Sequence, residues 1–295
     1  MNILVSGACG QLGQELMLLG RQNGNCLIAL DLPEMDITRP QSVSAAINEH
    51  KPDLIVNAAA YTDVDGAETE IQQAFRVNCD GPANLAAACA DNQIPLIHIS
   101  TDYVFDGGKK APYVESDPIS PVGIYARSKA DGEARVRSLA PCHVILRTSW
   151  LYSAFGKNFV KTMLALGEKR RNVTVVADQF GTPTSAQDLA QTILAIASSI
   201  RSNGPSPWGT YHYANTGVTS WYEFALEIFK IASSFGLFEC PRVTPISTDQ
   251  YPTPARRPPY SALDCTLIQR KLNIVCPPWQ ESLQTVIHRI VSHAA

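Results

Sequence analysis

The sequence predicts an α/β fold, a doubly wound parallel sheet with a smaller C-terminal α/β lobe, and three observations predict it. Short, unbroken apolar runs alternate with helical patterns through the first half of the chain, as expected for parallel strands covered on both faces. A loop of three regularly spaced glycines follows the first apolar run and leads into a helix. The second half drops the alternation and gathers glycine and proline.

In chain order, residues 3–5 read as the first strand and 16–19 lie within the first helix. Residues 26–30 are the second strand, and 42–50 a helix for which Ser42 is a suitable cap. Residues 54–56 are the third strand, 74–90 a long Ala-rich helix, and 96–99 the fourth strand. A helix over 129–137 precedes the fifth strand at 144–146. Right-handed crossovers then wind helices onto both faces of one sheet. Beyond it, 221–231 reads as a helix capped by Thr219 or Ser220. Glycine and proline cluster at 204–207 and again at 251–260, and the proline-rich stretch near 252–259 must be irregular, because proline cannot continue a helix or a central strand. The expected division is 1–150 for the first domain, with later segments returning to it, and 151–295 mainly for the smaller lobe.

Composition sets limits. Of 295 residues, 45% are hydrophobic and 17% charged, which suits a packed enzyme core rather than a disordered chain. The formal net charge of -3 gives no general attraction for phosphate backbones, so no nucleic-acid partner is expected. The densest basic run, Lys169-Arg170-Arg171, reads as a solvated helix end. No apolar stretch is long enough to span a membrane, and the first residues lack the basic start of a signal peptide. A cytoplasmic location is the expectation. The eight cysteines are scattered with no C-x-x-C pair and read as reduced thiols.

The loop Gly7-Ala8-Cys9-Gly10-Gln11-Leu12-Gly13 carries the first functional signal. Glycine there serves a tight strand-to-helix turn, close backbone approach to a pyrophosphate, and close packing of helix on strand. The phosphates then meet the positive end of the helix. Asp31 ends the second strand, where a carboxylate binds ribose hydroxyls and repels a 2′-phosphate. That favours NADH, while the loop beyond it leaves room for NADPH. Asp36 and Ile37 lie where related folds contact adenine, and the small residues leading into Ala60-Tyr61-Thr62 let the chain pass beneath the cofactor.

The fourth strand ends in Ser100-Thr101-Asp102-Tyr103, at the edge where such sheets place ligands. Tyr125 and Lys129 open the next helix four residues apart, hence on one face. A phenol with a pKa of roughly 10 is a poor acid–base catalyst at neutral pH, and a neighbouring ammonium is expected to lower that value. In a ketone reduction Tyr125 would protonate the oxygen, Thr101 would hydrogen-bond it as charge develops, and Lys129 would also hold the nicotinamide ribose.

With the stretches at 56–65, 146–152, 178–184 and 251–263, these residues resemble the extended short-chain dehydrogenase/reductase family and, within it, the dTDP-4-dehydrorhamnose reductases. The resemblance covers almost the whole chain. It implies reduction of dTDP-4-dehydro-L-rhamnose to dTDP-L-rhamnose by NADH or NADPH, in the supply of a sugar for cell-surface polysaccharide. It also implies a substrate-binding role for the C-terminal lobe, with Thr101, Asp102, Tyr125 and Trp150 touching the nucleotide sugar. Arg257 falls in the segment near its diphosphate, and a guanidinium there can fork onto a phosphate.

One departure concerns assembly. Some members are homodimers bridged by Mg²⁺ through carboxylates. Glu15 matches one such ligand, but Gln187 stands at another with Asp188 beside it. A carboxamide is a poor Mg²⁺ anchor, which argues against a metal here. The competing readings are another nucleotide-sugar reductase, an epimerase or 4,6-dehydratase, and a non-catalytic dinucleotide-binding regulatory subunit. Tyr103 stands where a dehydratase usually carries Glu, and the intact Thr101, Tyr125 and Lys129 set disfavours a role in binding alone.

Overall fold

The computed structural model describes residues 1–22, 25–202 and 206–294. Gly204 and Pro205 of the first glycine–proline cluster therefore lie outside the described residues. The first half runs β1 (Asn2–Ser6), α1 (Gln11–Gln22), β2 (Cys26–Leu30), α2 (Pro40–His50) and β3 (Leu54–Asn57). The Ala-rich helix is split into α3 (Ile71–Phe75) and α4 (Gly81–Asp91) by a π-type turn at Arg76–Asp80. Then come β4 (Leu96–Thr101), α5 (Ile124–Leu139) and β5 (His143–Thr148). The second half comprises β6 (Leu151–Tyr152), α6 (Phe159–Lys169), β7 (Asn172–Val176), β8 (Phe180–Gly181), β9 (Thr184–Ser185), α7 (Ala186–Arg201) and β10 (Gly209–His212). It ends with β11 (Thr219–Ser220), α8 (Trp221–Ser234), β12 (Arg242–Ile246), α9 (Thr266–Leu272) and α10 (Trp279–Ala294).

The main sheet has six strands in the order β10-β5-β4-β3-β1-β2, and every pairing in it is parallel. Strand order reverses at β1, with β2 on one side and β3 on the other, so a crevice opens there at the strands' carboxyl ends. Alternation along the strands feeds two cores. Ile3, Val5, Val56, Ile97 and Leu146 pack under α1 and α7. Leu4, Ile55, Leu96 and Ile145 pack under α2, α4 and α5.

Later segments return to this domain. Leu189, Ile193 and Ile196 of α7, Tyr211 of β10 and Ile268 of α9 all belong to the first of those cores. A separate core joins Tyr152, Val160, Met163 and Val175 to Phe224, Ile228 and Phe229 of α8 and to Leu283 and Val286 of α10.

Two caps were expected, and one holds. Ser220 caps α8 in a reciprocal box with Glu223. Ser42 does not cap α2. That helix starts two residues earlier, with Pro40 in its first turn, where proline's fixed φ suits a helix start. The Ser42 hydroxyl instead accepts the Asp36 backbone N–H at 3.0 Å. Cys79, Cys89, Cys265 and Cys276 are buried, and all eight cysteines are free thiols. No described helix is long and apolar enough to cross a membrane.

Candidate active site

A cleft of about 870 Å³ runs along the carboxyl ends of β1 to β5. Its floor is the glycine loop. Gly7 has φ +73°, and a Cβ there would come within 2.5 Å of the Ala59 backbone nitrogen, so only glycine fits. The Gly10 N–H donates to the Gly7 carbonyl at 3.1 Å and closes the turn. Gly13 does not face the cleft; a Cβ on it would strike the Gly7 carbonyl and Ala8, so it is the glycine that lets α1 sit against β1. The first turn of α1 carries no acidic residue, which leaves its positive end free for an anion.

Gln11, Leu12, Asp31, Asp36, Ile37, Ala60, Tyr61 and Thr62 line the same cleft with Gly7 and Gly10. The Asp31 carboxylate accepts the backbone N–H groups of Cys9 at 2.8 Å and Leu32 at 2.9 Å, tying the end of β2 to the glycine loop. Asp36 accepts from the Thr38 N–H and hydroxyl at 2.9 and 2.7 Å. Burial opposes ionisation of Asp36, but the Thr38 hydrogen bonds with Arg39 and Arg76 outweigh it and hold the carboxyl below its usual range. Asn57 accepts from the Ser6 hydroxyl at 2.9 Å and the Ala59 N–H at 3.1 Å, and Asn78 of the π-type turn accepts the Tyr61 N–H at 2.9 Å. These bonds shape the strip along the floor of the cleft. Thr38, Arg76 and Lys157 also line the cleft and were not expected. Arg76 gives no signal in sequence, because only the π-type turn brings it to the wall.

At the other end of the cleft, Thr101, Tyr125 and Lys129 converge. The Lys129 ammonium donates to the Ile99 carbonyl at 2.6 Å. Burial lowers its pKa to about 8, with the Glu133 carboxylate working against the shift. Tyr125 departs from expectation. Burial raises its phenol to about 12; the Thr101 hydroxyl works downward and Asp102 upward. The expected lowering by Lys129 fails because the ammonium is turned to the Ile99 carbonyl and desolvation of the phenolate dominates. A neutral phenol at physiological pH is a proton donor, which is what ketone reduction requires.

Glu133 continues this helix face one turn beyond Lys129. It is fully buried and accepts from Arg147 Nε and Nη2 at 2.9 and 2.7 Å, from Ser100 at 2.6 Å and from Arg137 at 2.9 Å. Burial would raise its carboxyl, but Arg147, Ser100 and Arg137 overcome that and hold it at about 2.

Asp102 and Arg257 lie off the first cleft. Asp102 is buried behind Thr101. Arg257 lines a second cleft of about 580 Å³ with Asp65, Tyr103, Arg170, Gln179 and Trp221. Its guanidinium forks onto Asp65 at 2.7 and 2.8 Å and so arrives prepositioned. Trp150 lines the first cleft and stacks on Trp221 of the second, with ring centroids 3.5 Å apart and planes 7° from parallel. The pair is the wall between the two. Trp150 has φ +46°, a costly conformation for a bulky residue that the surrounding packing must hold.

The carboxylate considered for a metal is spoken for. Glu15 is buried, accepts from Ser153 at 2.6 Å and pairs with Arg289 at 2.9 and 3.0 Å. Arg289 also donates to Gln187 at 2.7 Å, while Asp188 is bonded to Ser282 and Asn215. A guanidinium thus stands between Glu15 and Gln187. Among the described residues, no three His, Cys, Asp or Glu side chains gather into a metal-binding group.

Residues 1–292 match the family model described as the RmlD substrate binding domain. The dTDP-4-dehydrorhamnose reductase of Aggregatibacter actinomycetemcomitans is 44% identical, over 96% of this chain and 97% of the relative. The crystal structure of a dTDP-4-dehydrorhamnose reductase from Clostridium acetobutylicum superimposes with a TM-score of 0.92 at 40% identity, covering 99% of this chain and 100% of that one. The Bacillus anthracis dTDP-4-dehydrorhamnose reductase, solved in complex with NADP, gives 0.91 at 37% identity, over 98% and 99% of the two chains.

Proposed function

This chain belongs to the RmlD substrate binding domain family, and on that premise we propose that it reduces dTDP-4-dehydro-L-rhamnose to dTDP-L-rhamnose with NADH or NADPH. The observation that carries the reading is one continuous cleft. At one end a positive-φ glycine turn and the free N-terminus of α1 make a phosphate cradle. At the other stand Thr101, Tyr125 and Lys129. A dinucleotide fits between, with Gly7 admitting no side chain where its pyrophosphate would lie against the backbone.

The bound dinucleotide supplies a hydride to C4 of the sugar. Tyr125 donates the proton that the new alkoxide takes up, and Thr101 hydrogen-bonds that oxygen as charge builds. Lys129 holds the nicotinamide ribose. Asp31, Asp36 and Ile37 hold the adenosine end, and Gln11 and Leu12 flank the pyrophosphate. The second cleft takes the nucleotide of the substrate, with Arg257 at its diphosphate and Trp150 against the sugar. The enzyme works in the cytoplasm, where its cofactor is, and any homodimer it forms needs no metal.

Deuteride transfer tests this. With NADPH carrying deuterium at the transferable position, the product should hold one deuterium at C4 of the sugar. An epimerase would give product without net cofactor oxidation, and a regulatory subunit would bind dinucleotide without oxidising it.

A further inference from the structure

The Thr101 hydroxyl has more claims on it than it has protons. Its oxygen accepts the Tyr103 backbone N–H at 3.2 Å and its proton goes to Asp102 Oδ1 at 3.1 Å. A hydroxyl offers one donor and two lone pairs. A proton committed to Asp102 cannot also serve a ketone oxygen in the cleft. Asp102 itself is 2% exposed, and its other oxygen, Oδ2, has no hydrogen-bond partner. A carboxylate is costly in such a place, whereas a neutral acid is not.

We propose that the competent form of the enzyme is the one in which Asp102 is a protonated carboxylic acid, that it then donates to Thr101, and that this reversed hydrogen bond frees the Thr101 proton for the ketone oxygen. The inference rests on the reductase reading above. Asp102 acts through Thr101 and is a positioning residue; its proton is not consumed in turnover. The neutral acid also keeps a negative charge away from the developing alkoxide.

The surroundings favour the neutral form below about pH 7. Burial pushes the Asp102 carboxyl up to about 7, against a smaller downward pull from Ser261, Thr101 and nearby backbone; Ser261 lies close but makes no hydrogen bond of good geometry to Oδ2. Two titratable groups face it, Tyr103 from its own turn and Tyr125 from α5, and burial raises both, so both are neutral there. The Arg257–Asp65 ion pair stands beyond Tyr103. Asp102 takes part in no ion pair among the described residues. As pH rises through about 7, Asp102 ionises, Thr101 turns its proton back, and turnover falls.

Asparagine fixes the uncharged state, since its amide donates to Thr101 at every pH. In the wild-type enzyme, kcat with saturating NADPH and dTDP-4-dehydro-L-rhamnose should fall as pH rises through about 7. In Asp102→Asn this limb should move up toward that of Lys129, near about 8. At low pH the variant's kcat at saturating substrate should fall by less than the ~10²–10³ lost with an oxyanion donor, while KM takes up any loss of the sugar contact that the resemblance gives Asp102. An alkaline limb left in place, or a low-pH loss of that larger size, overturns the proposal. Infrared titration of the wild-type protein keeps the test open if the variant does not fold. A buried carboxylic C=O band should vanish as pH rises through about 7 and shift in Thr101→Val, and no such band at slightly acidic pH overturns the proposal. A wild-type enzyme that oxidises no NADPH with the keto-sugar would sink the reductase reading while the infrared result still stood.

Discussion

Lys129 and Tyr125 illustrate how single residues here take their protonation from burial. Lys129 loses its proton near about 8 in the folded protein, below the usual 10.5. Its ammonium is thus present at neutral pH and lost as pH rises through about 8. Between about 8 and 10.5 the unfolded chain holds a proton that the folded one lacks, so this residue makes stability rise with pH there. Lys129→Met should abolish that stability slope in denaturant titrations and lower turnover by at least the ~10²–10⁴ characteristic of a lost general acid, since it would also remove the ribose contact proposed for it. Thr101→Val should cost less, ~10²–10³ or below in kcat, as expected for one oxyanion hydrogen bond. Asp31→Ala should weaken both cofactors, because Asp31 holds the Cys9 N–H of the glycine loop. NADH should lose roughly 1–2 kcal/mol more than NADPH, the worth of a charged hydrogen bond. Equal losses, measured by fluorescence titration, would show that the carboxylate does not read the 2′ position.

At the scale of elements, α5 carries Tyr125, Lys129 and Glu133 on one face, and Glu133 ties that face to Ser100 of β4 and Arg147 of β5. Glu133 is held at about 2, so its stabilisation is full above about 4.5 and is lost as pH falls from there to about 2. Glu133→Gln should leave Arg147 buried without its counter-charge, cost about 3–5 kcal/mol in urea unfolding, and flatten this acid-side slope. An unchanged urea midpoint would mean the network does not brace the site. The first half of the fold was legible because glycine spacing, strand ends and the Tyr125–Lys129 interval are all local patterns. The capping box at Ser220 and Glu223 was legible for the same reason. β10 was not, since Gly209-Thr210-Tyr211-His212 has no apolar run and becomes a strand only by pairing with the distant β5. Glu133 was missed likewise: a charged residue on a helix reads as solvent-facing until Arg147 and Ser100 arrive from two other strands. The Asp31 and Gly7 positions were legible, but the bond from Cys9 to Asp31 that links them was not.

Across the whole molecule, Arg289 of α10 reaches Glu15 of α1 and Gln187 of α7, pinning the core around α8 and α10 to the helices that cover the main sheet with an internal cation. Excess EDTA should therefore leave both activity and the mass measured by light scattering unchanged; a mass that falls on chelation would contradict this. The central claim is that one cleft binds a dinucleotide at its glycine end and reduces a keto-sugar at its Tyr125 end. The most direct measurement follows NADPH consumption on addition of dTDP-4-dehydro-L-rhamnose, for the wild-type enzyme and for Tyr125→Phe, with NADPH affinity measured alongside. The account predicts stoichiometric consumption by the wild type, a turnover lower by roughly 10²–10⁴ in the variant, and nearly equal NADPH binding by both. Near-normal turnover in Tyr125→Phe, still strictly dependent on the keto-sugar, would contradict it.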